Sequence, residues 1–286
     1  MSREGALFRD RLQTAEAREA FEAFAERRNP DFFETDDWLT RICNGCCEAN
    51  VQHEHRCWLR IKSSGRRLSV DTENMHYYEP SKGHGLRHNP FNAIIAPRPI
   101  GWISSRNAKG QFNLAPYSFF NAFNYDPPIL GFASISWKDS VQNVLETREF
   151  VWNLVTRELG EQMNTTAAPL AHGVSEFESA GLTAAPSRHV SVPRVRESRA
   201  AMECKVTEVV QFKNWKGETV QGWLVLGEVV AVYIDKTLIK DGVYQTALAN
   251  PILRAGRGGD YVEVTQDRMF EMDRPPGSSH PAFHGS

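Results

Sequence analysis

Short apolar runs separated by turns dominate the chain from about residue 96 onward. Residues 100–105 read Ile-Gly-Trp-Ile-Ser-Ser, and the next five residues include Asn107 and Gly110, which tolerate the positive φ of a tight turn. A return strand is predicted from about Gln111. This stretch therefore predicts a β-hairpin.

The same alternation of strands and turns continues toward the C-terminus. Two proline residues after Asp126 break the extended pattern, and Gly227, inside a long apolar alternation, indicates a bulge or a barrel corner. Because repeated βαβ spacing is missing, the pattern favours a barrel over a doubly wound sheet. Extended segments are predicted over 113–120, 129–134, 150–155, 202–212 and 222–234.

Short helices are predicted at two places between these strands. The first follows Asp139, which we expect to cap it, and has Val141, Val144 and Leu145 on one apolar face. The second covers 158–166 and turns Leu159 and Met163 inward. The prediction is thus a mainly β fold with a few short helices.

The first 74 residues follow a different pattern. Helical spacing is visible over 5–28, but from about Phe32 to Asn74 neither helical nor strand periodicity is found. We therefore predict an N-terminal extension over 1–74, partly helical and poorly ordered, and a folded domain over 75–286. We hypothesise that Met75 is the natural start of the protein.

A cluster of cysteine and histidine residues lies within this extension. Four of the five cysteines fall between 43 and 57, together with His53 and His55. Thiolates and imidazoles ligate zinc, and Cys43 and Cys46 have C-x-x-C spacing, but a second pair at zinc-finger spacing is missing. We interpret the segment as a solvated extension, keep zinc binding as the weaker alternative, and assign no metal ligands.

Composition and charge narrow the classes of partner. The chain has 286 residues, 41% of them hydrophobic and 24% charged, which suffices for a substantial core. A net charge of -2 provides no basic field for nucleic acid, and no apolar run approaches the roughly 20 residues that a membrane helix needs. We expect a cytoplasmic protein whose partners are small molecules or like subunits.

Hydroxyl, amide and cationic side chains recur in the turns of the first strands. Lys138 and Ser140 lie where a strand leads into a helix, so an ammonium, a hydroxyl and free helix amides together favour an anion site. The alternative is a capped helix with a solvated lysine. Other polar positions are equally compatible with ordinary turns or an exposed sheet face, namely Ser104, Ser105, Asn113, Tyr117, Ser118 and Asn121.

Taken in order, these motifs resemble the flavin reductase-like FMN-binding split-barrel family, which includes flavoredoxin-type proteins. The resemblance spans about residues 75–274 and implies a homodimeric split β-barrel that holds FMN noncovalently near the subunit interface. It rests on Arg98-Pro-Ile-Gly-Trp-Ile-Ser-Ser, Gly110, Asn113-Leu-Ala-Pro-Tyr-Ser-Phe-Phe-Asn, Asp126-Pro-Pro, Lys138-Asp-Ser, Asn143, Asn250-Pro-Ile-Leu-Arg and Gly259-Asp-Tyr.

The resemblance also implies roles for particular residues. The phosphate and ribityl chain of FMN would contact Ser104, Ser105, Lys138 and Ser140. Residues 113–121, including Asn113 and Asn121, would run past the isoalloxazine ring, with Ala115, Tyr117 and Ser118 nearest its polar edge. Ser140 stands where the family has threonine, a change that keeps the hydroxyl.

The implied activity is that of an NAD(P)H-dependent flavin reductase that passes reducing equivalents to free flavin or to a partner oxygenase. The flavin carries the chemistry and NAD(P)H binds transiently, so no catalytic side chain is assigned. One alternative is a flavin-binding electron carrier or storage module without NAD(P)H turnover, and another is a structural barrel without a ligand. The sequence does not distinguish NADH from NADPH.

Overall fold

The computed structural model describes residues 74–168 and 175–272 together with Pro275. The chain divides into two compact units, Met1–Tyr77 and Tyr78–Ser286, and all strands and helices given below belong to the second. The predicted helices before residue 74 and the cysteine and histidine cluster at 43–57 lie outside the described residues. The domain boundary at residue 74 therefore stays a prediction.

Antiparallel β-strands build most of the second unit. They are β1 Gly101–Arg106, β2 Phe112–Tyr117, β3 Phe120–Asn124, β4 Ile129–Ser134, β5 Glu149–Asn153, β6 Ala184–Ala185, β7 Arg194–Val195, β8 Ala200–Lys213, β9 Thr219–Ile234, β10 Ile239–Lys240, β11 Val243–Tyr244, β12 Ile252–Arg254 and β13 Tyr261–Glu263. Seven of them form the main sheet, in the spatial order β2-β1-β5-β8-β9-β4-β3. Three small sheets pair β6 with β7, β10 with β11 and β12 with β13.

The predicted hairpin between β1 and β2 is confirmed. Gly110 has a φ of 88°, and the Asn107 side-chain oxygen accepts the backbone N–H groups of Lys109 and Gln111 at 3.0 and 2.9 Å. A side chain that satisfies local amides and a glycine with positive φ together fix this turn. The resulting register places Ser105 opposite Asn113.

The main sheet curls until strands from its two ends meet. The Tyr117 ring of β2 lies 4.7 Å, centroid to centroid, from the Phe132 ring of β4. Next to this contact, the Phe119 carbonyl accepts the N–H of Ala133 at 2.7 Å. The sheet is thus a half-barrel with few short helices, and the predicted fold class is confirmed.

The helices are short and lie between the strands. The predicted helix over 158–166 is present as a 3-10 turn, Arg157–Leu159, followed by an α-helix, and both Leu159 and Met163 are buried as predicted. The α-helices are α1 Phe91–Ile94, α2 Asp139–Thr147, α3 Gly160–Thr165, α4 Glu176–Ser179 and α5 Thr246–Ala249, and further 3-10 turns are Pro80–Lys82, Lys236–Leu238 and Gln266–Arg268.

Two details of the predicted α2 are wrong. Lys138, with an extended φ of -137°, is the N-cap residue and makes no side-chain capping bond, and Asp139 is the first residue of the helix. Leu145 remains 41% exposed, whereas Val141 and Val144 are fully buried as predicted. The buried face of α2 also includes Ser140 and Asn143, so Leu145 lies beyond its edge.

The two faces of the sheet bury different cores. Ile103, Phe132 and Phe150 belong to the core inside the curl, which we call the barrel face. On the opposite side, the reverse face, Trp102 packs with residues of the short helices and Val151 packs in a separate cluster. Because side chains alternate along a strand, neighbouring residues of β1 enter different cores.

Gly227 lies where an aromatic ring presses against β9. A Cβ at this position would be 2.4 Å from Cε1 of Phe150 and 3.2 Å from Cβ of Cys204. The register between β8 and β9 shifts between Val206 and Glu208, directly beside the Val206–Gly227 pair. The predicted bulge is confirmed, and the close approach of Phe150 explains why glycine is needed there.

Within the described residues, none of the helices combines the length and the apolarity that crossing a membrane requires. In the same part of the chain, no group of three or more His, Cys, Asp or Glu side chains is arranged to hold a metal ion.

Candidate functional site

A buried network of amides and hydroxyls joins the first hairpin to helix α2. Asn113 of β2 donates from Nδ2 to the hydroxyl of Ser140 at 2.9 Å and, more weakly, to that of Ser105 at 3.4 Å. From the helix, Asn143 donates to the Ser105 hydroxyl at 3.0 Å. All four residues are at most 9% exposed. The network thus fixes the first turn of α2 against β1 and β2.

The local sequence explains why these residues meet. Ser105 and Asn113 are cross-strand partners and share the barrel face of the hairpin. Ser140 and Asn143 are three residues apart in α2, so they lie on one side of that helix. Buried polar groups require partners, and here two elements supply them to each other.

The first turn of α2 presents positive charge at the end of this network. The Lys138 carbonyl accepts the N–H groups of Val141 and Gln142 at 2.9 and 3.1 Å. Its exposed side chain extends along the Tyr117 ring, with Nζ 5.9 Å from the ring centroid. An ammonium beside the positive end of a nine-residue helix creates a local environment that favours an anion.

Tyr117 lies beneath this lysine with its hydroxyl unsatisfied. The residue is 5% exposed, and its buried hydroxyl has no hydrogen-bond partner among the described residues. Burial raises the pKa of Tyr117 above its ordinary value, although the nearby hydroxyls of Ser140 and Ser134 oppose that shift. The raised pKa keeps the phenol neutral.

A half-buried carboxylate approaches the same region from α4. Oε2 of Glu176 accepts the backbone N–H of Leu114 on the edge strand β2 at 3.1 Å. Burial raises the pKa of Glu176, and the negative charge of Asp139 adds to that increase. Glu176 thus satisfies an amide of an edge strand that lacks a neighbouring strand on that side.

The structure does not bring Ser104 to this cluster. Its side chain lies on the reverse face, where its hydroxyl donates to the Pro193 carbonyl at 2.6 Å and accepts from Asn153 Nδ2 at 3.2 Å. Successive residues of a strand point to opposite faces, so Ser104 and Ser105 cannot both direct their hydroxyls to one ligand. The side chain of Ser104 instead ties β1 to the segment before β7.

Three other predicted residues lie along the chain that leads away from the cluster. Ala115 is half-buried and packs against the barrel-face core, and Ser118 is half-buried between β2 and β3. Asn121 is exposed on β3 and its side-chain oxygen accepts the N–H of Ala122 at 2.9 Å. The predicted set therefore divides into the cluster of Ser105, Asn113, Tyr117, Lys138 and Ser140, and residues outside it.

Some residues that build this cluster were missing from the predicted site. The role of Asn143 could have been found from its spacing of three residues after Ser140 within the predicted helix. Ser134 and Glu176 carry no such signal, because their proximity to Tyr117 depends on the curl of the sheet and on the position of α4.

Comparison with known proteins identifies the fold and the family. The protein family described as "Flavin reductase like domain" matches this chain over residues 95–249, which is more than half of its length. An uncharacterized protein of Aquifex aeolicus is 36% identical over 156 residues, which are 52% of this chain and 76% of that relative. The likeness to solved split-barrel structures agrees with the curled sheet.

Two solved structures are similar in both sequence and fold. Nitrilotriacetate monooxygenase component B from Bacillus cereus is 28% identical with a TM-score of 0.61, and the alignment covers 73% of this chain and 100% of that one. The 2-nitrobenzoate 2-nitroreductase NbaA of Pseudomonas fluorescens is 32% identical with a TM-score of 0.58, covering 67% of this chain and 91% of that one. The chain therefore belongs to the flavin reductase like domain family.

Proposed function

We propose that this protein binds FMN noncovalently and acts as an NAD(P)H-dependent flavin reductase. The observation that carries the proposal is the first turn of α2, where the exposed Lys138 lies at the helix N-terminus while Ser105, Asn113, Ser140 and Asn143 hold the turn in place. A phosphate group suits this combination of ammonium and helix N-terminus. The family match over residues 95–249 supports a flavin nucleotide as the ligand that carries this phosphate group.

Some residues of the cluster would contact the ligand, and others would position the first turn of α2. Ser105 and Ser140 are at most 1% exposed, so in this arrangement they orient the first turn of α2 and do not reach a ligand. Lys138, whose ammonium lies beside the Tyr117 ring, would neutralise phosphate charge. When bound, the flavin would supply hydride acceptance from a nicotinamide and electron transfer to an acceptor.

The electron acceptor in this proposal is free flavin or a partner oxygenase. The relative from Bacillus cereus is named as one component of a monooxygenase, which supports transfer to a second protein. A reduced flavin must reach that acceptor, so an FMN site near the surface, as at the exposed Lys138, suits the proposed role.

We also propose a homodimer that covers the exposed aromatic residues next to Lys138. Trp137 is 51% exposed and meets Trp223 edge to face at a centroid distance of 5.3 Å. Aromatic residues of this kind are enriched at protein interfaces. Light scattering after size-exclusion chromatography is expected to give the mass of two chains, and a monomer at micromolar concentration would contradict the homodimer.

An absorption spectrum of the purified protein tests the proposed activity. After loading with FMN and removal of free flavin, we expect a flavin band that bleaches under anaerobic conditions when NADH or NADPH is added. Free FMN should then sustain nucleotide consumption. A bound flavin that neither nucleotide reduces would favour the electron carrier, and a protein that stays colourless after FMN titration would favour the structural barrel.

A second candidate function is the direct reduction of a nitroaromatic compound. The 32% identity to a 2-nitrobenzoate 2-nitroreductase across 91% of that chain favours it. The FMN-loaded protein with NAD(P)H would then consume 2-nitrobenzoate without added free flavin. Loss of nucleotide oxidation when free flavin is omitted would assign the activity to flavin reduction instead.

A further inference from the structure

A cavity of about 640 Å³ opens on the reverse face of the sheet, beside the C-terminal end of β9. Its volume lies within the range of sites that hold small molecules. Its lining contains five arginine and lysine side chains and two carboxylates, Glu197 and Asp235, which leaves an excess of three positive charges at neutral pH. The cations are Arg188, Arg194, Arg196, Arg199 and Lys236.

Both carboxylates of the lining already have partners. Asp235 accepts from Arg199 Nε at 3.3 Å and from the backbone N–H of Thr237 at 2.9 Å. The two carboxylate oxygens of Glu197 both accept the N–H of Thr183, each at 3.1 Å. In the described part of the chain, the remaining cations of the cavity form no ion pair. Their charge is therefore available to a ligand.

Arg194 stacks on an aromatic ring of the cavity lining. Its guanidinium carbon lies 4.8 Å from the centroid of the Tyr233 ring, and its buried Nε has no hydrogen-bond acceptor among the described residues. Stacking on an aromatic face restricts a guanidinium while leaving its N–H groups free to bind an anion. The buried Nε adds a free-energy cost that the stacked position of Arg194 has to bear.

A buried carboxylate, Glu203, fixes the position of the Tyr233 ring. The Tyr233 hydroxyl donates to Oε1 of Glu203 at 2.5 Å, and the two oxygens of that carboxylate accept the backbone N–H groups of Arg188 and His189 at 2.7 Å each. Glu203 is fully buried and its hydrogen bonds are directed to these three donors. The charge of Glu203 thus fixes Tyr233 and the 188–189 backbone, while Arg194 lies above the ring.

This cavity is separate from the cluster at α2. Glu203 pairs with Val151, which in turn pairs with Ser104, and these residues share the reverse face. Ser105, the next residue of β1, points into the barrel face. A ligand in the cavity and a ligand beside Lys138 would therefore lie on opposite sides of the sheet.

We propose that the cavity binds a phosphate-bearing small molecule. Guanidinium groups match phosphate oxygens with two parallel N–H donors, and several of them around one space suit a group that carries more than one negative charge. The site would be distinct from the proposed FMN site, and its occupancy would not require that flavin be bound or reduced.

Calorimetric titration of the full-length, FMN-saturated protein with inorganic pyrophosphate tests this proposal. Free FMN is removed after loading, so the α2 cluster stays occupied while no free FMN, itself a phosphate-bearing molecule, competes for the cavity, and the expected signal is saturable binding at one site per chain. Substitution Arg194→Gln is expected to raise the Kd about tenfold or more, because it removes one charge-assisted contact. The double substitution of the exposed residues, R188Q with R196Q, should have a comparable effect and leaves the stacked Arg194 in place.

The matched control is Arg87→Gln, which removes the same charge from an exposed arginine outside the cavity lining and should leave the Kd unchanged. ADP tested in the same way distinguishes a nucleotide from inorganic phosphate as the source of the phosphate group, and saturable binding of either one supports the site. Absence of saturable binding of both, an equal affinity for succinate, or an unchanged Kd in both cavity variants would overturn the proposal.

Discussion

Two carboxylates, the fully buried Glu203 beneath the arginine cavity and the half-buried Glu176 beside the α2 cluster, have pKa shifts of opposite sign. Burial raises the pKa of each. At Glu203, hydrogen bonds from Tyr233 and from the Arg188 and His189 amides outweigh this effect and lower the pKa. Among the described residues, the Leu114 amide is the one donor from another element to Glu176, and the pKa of Glu176 stays raised. The hydrogen-bond donors around Glu203 therefore stabilise its charged form more than the single amide stabilises that of Glu176.

The comparison extends to the regions that the two carboxylates support. Around Glu203 an ionised group organises backbone and ring so that arginines face an open cavity. Around Glu176, neutral amides and hydroxyls do the organising, and Lys138 supplies the exposed charge. One region is thus assembled by charge and the other by neutral hydrogen bonds, and substitutions can separate the two.

The largest effect is expected from Glu203→Leu. This change leaves two backbone amides and the Tyr233 hydroxyl without their acceptor, and we expect a loss of about 3 kcal/mol or more in the free energy of unfolding. Chemical denaturation measures it, with Tyr233→Phe as the control that removes a single donor and costs about 1 kcal/mol. A loss below that of the control would show that Glu203 does not organise this region.

The charge of Glu203 also predicts a pH dependence. Because its pKa is lowered on folding from an ordinary value of 4.5, its stabilising contribution is present above that value and is lost as the pH falls through the lower folded pKa. Denaturation at a series of acidic pH values should show a smaller decrease in stability for E203Q than for the wild type. Parallel curves would contradict the lowered pKa.

Lys138→Ala tests the exposed charge of the other region. We expect FMN affinity to fall by about 1 to 3 kcal/mol if the ammonium contacts the phosphate, with little change in stability. Fluorescence titration of FMN measures the affinity, and Lys109→Ala, a second exposed lysine, is the matched control. Equal affinities of the two variants would remove Lys138 from the site.

Asn143→Ala tests whether the neutral network positions α2. The Ser105 hydroxyl would lose its hydrogen-bond donor from the helix, so we expect about 1 to 2 kcal/mol of destabilisation and weaker FMN binding. The control is Gln142→Ala at an exposed neighbouring position, for which a change within about 0.5 kcal/mol is expected. Destabilisation without any loss of FMN affinity would separate this network from the ligand site.

The smallest effect is expected from Glu176→Gln. A raised pKa means that the native state binds this proton more tightly, so stability decreases as the pH rises from 4.5 through the folded pKa. The amide keeps an acceptor for Leu114 and carries no charge, so we expect the variant to be about 0.5 kcal/mol more stable than the wild type at neutral pH. A destabilised variant would indicate that the charge itself is needed.

Local sequence patterns were sufficient for the elements and for part of the site. Asn107 and Gly110 fixed the hairpin turn because both act within a few residues of themselves, and this turn sets the Ser105–Asn113 pair. The spacing of Ser140 and Val144 likewise follows from helical geometry. The same local reasoning was wrong about Asp139, since residue types that favour a cap do not fix which residue leaves the extended conformation.

The sequence by itself determined a mainly β chain, the hairpin, the position of α2 and the motifs of the family, because these depend on periodicity and on turn chemistry within short stretches. Only the tertiary structure decided that the side chain of Ser104 points away from the α2 cluster and that Glu176 and Glu203 have opposite pKa shifts. It also decided that arginines between residues 188 and 199 line one cavity together with residues of β9. These outcomes depend on which distant strands pair and on how tightly the sheet curls. Such pairings join residues far apart in the chain, and no local pattern encodes them.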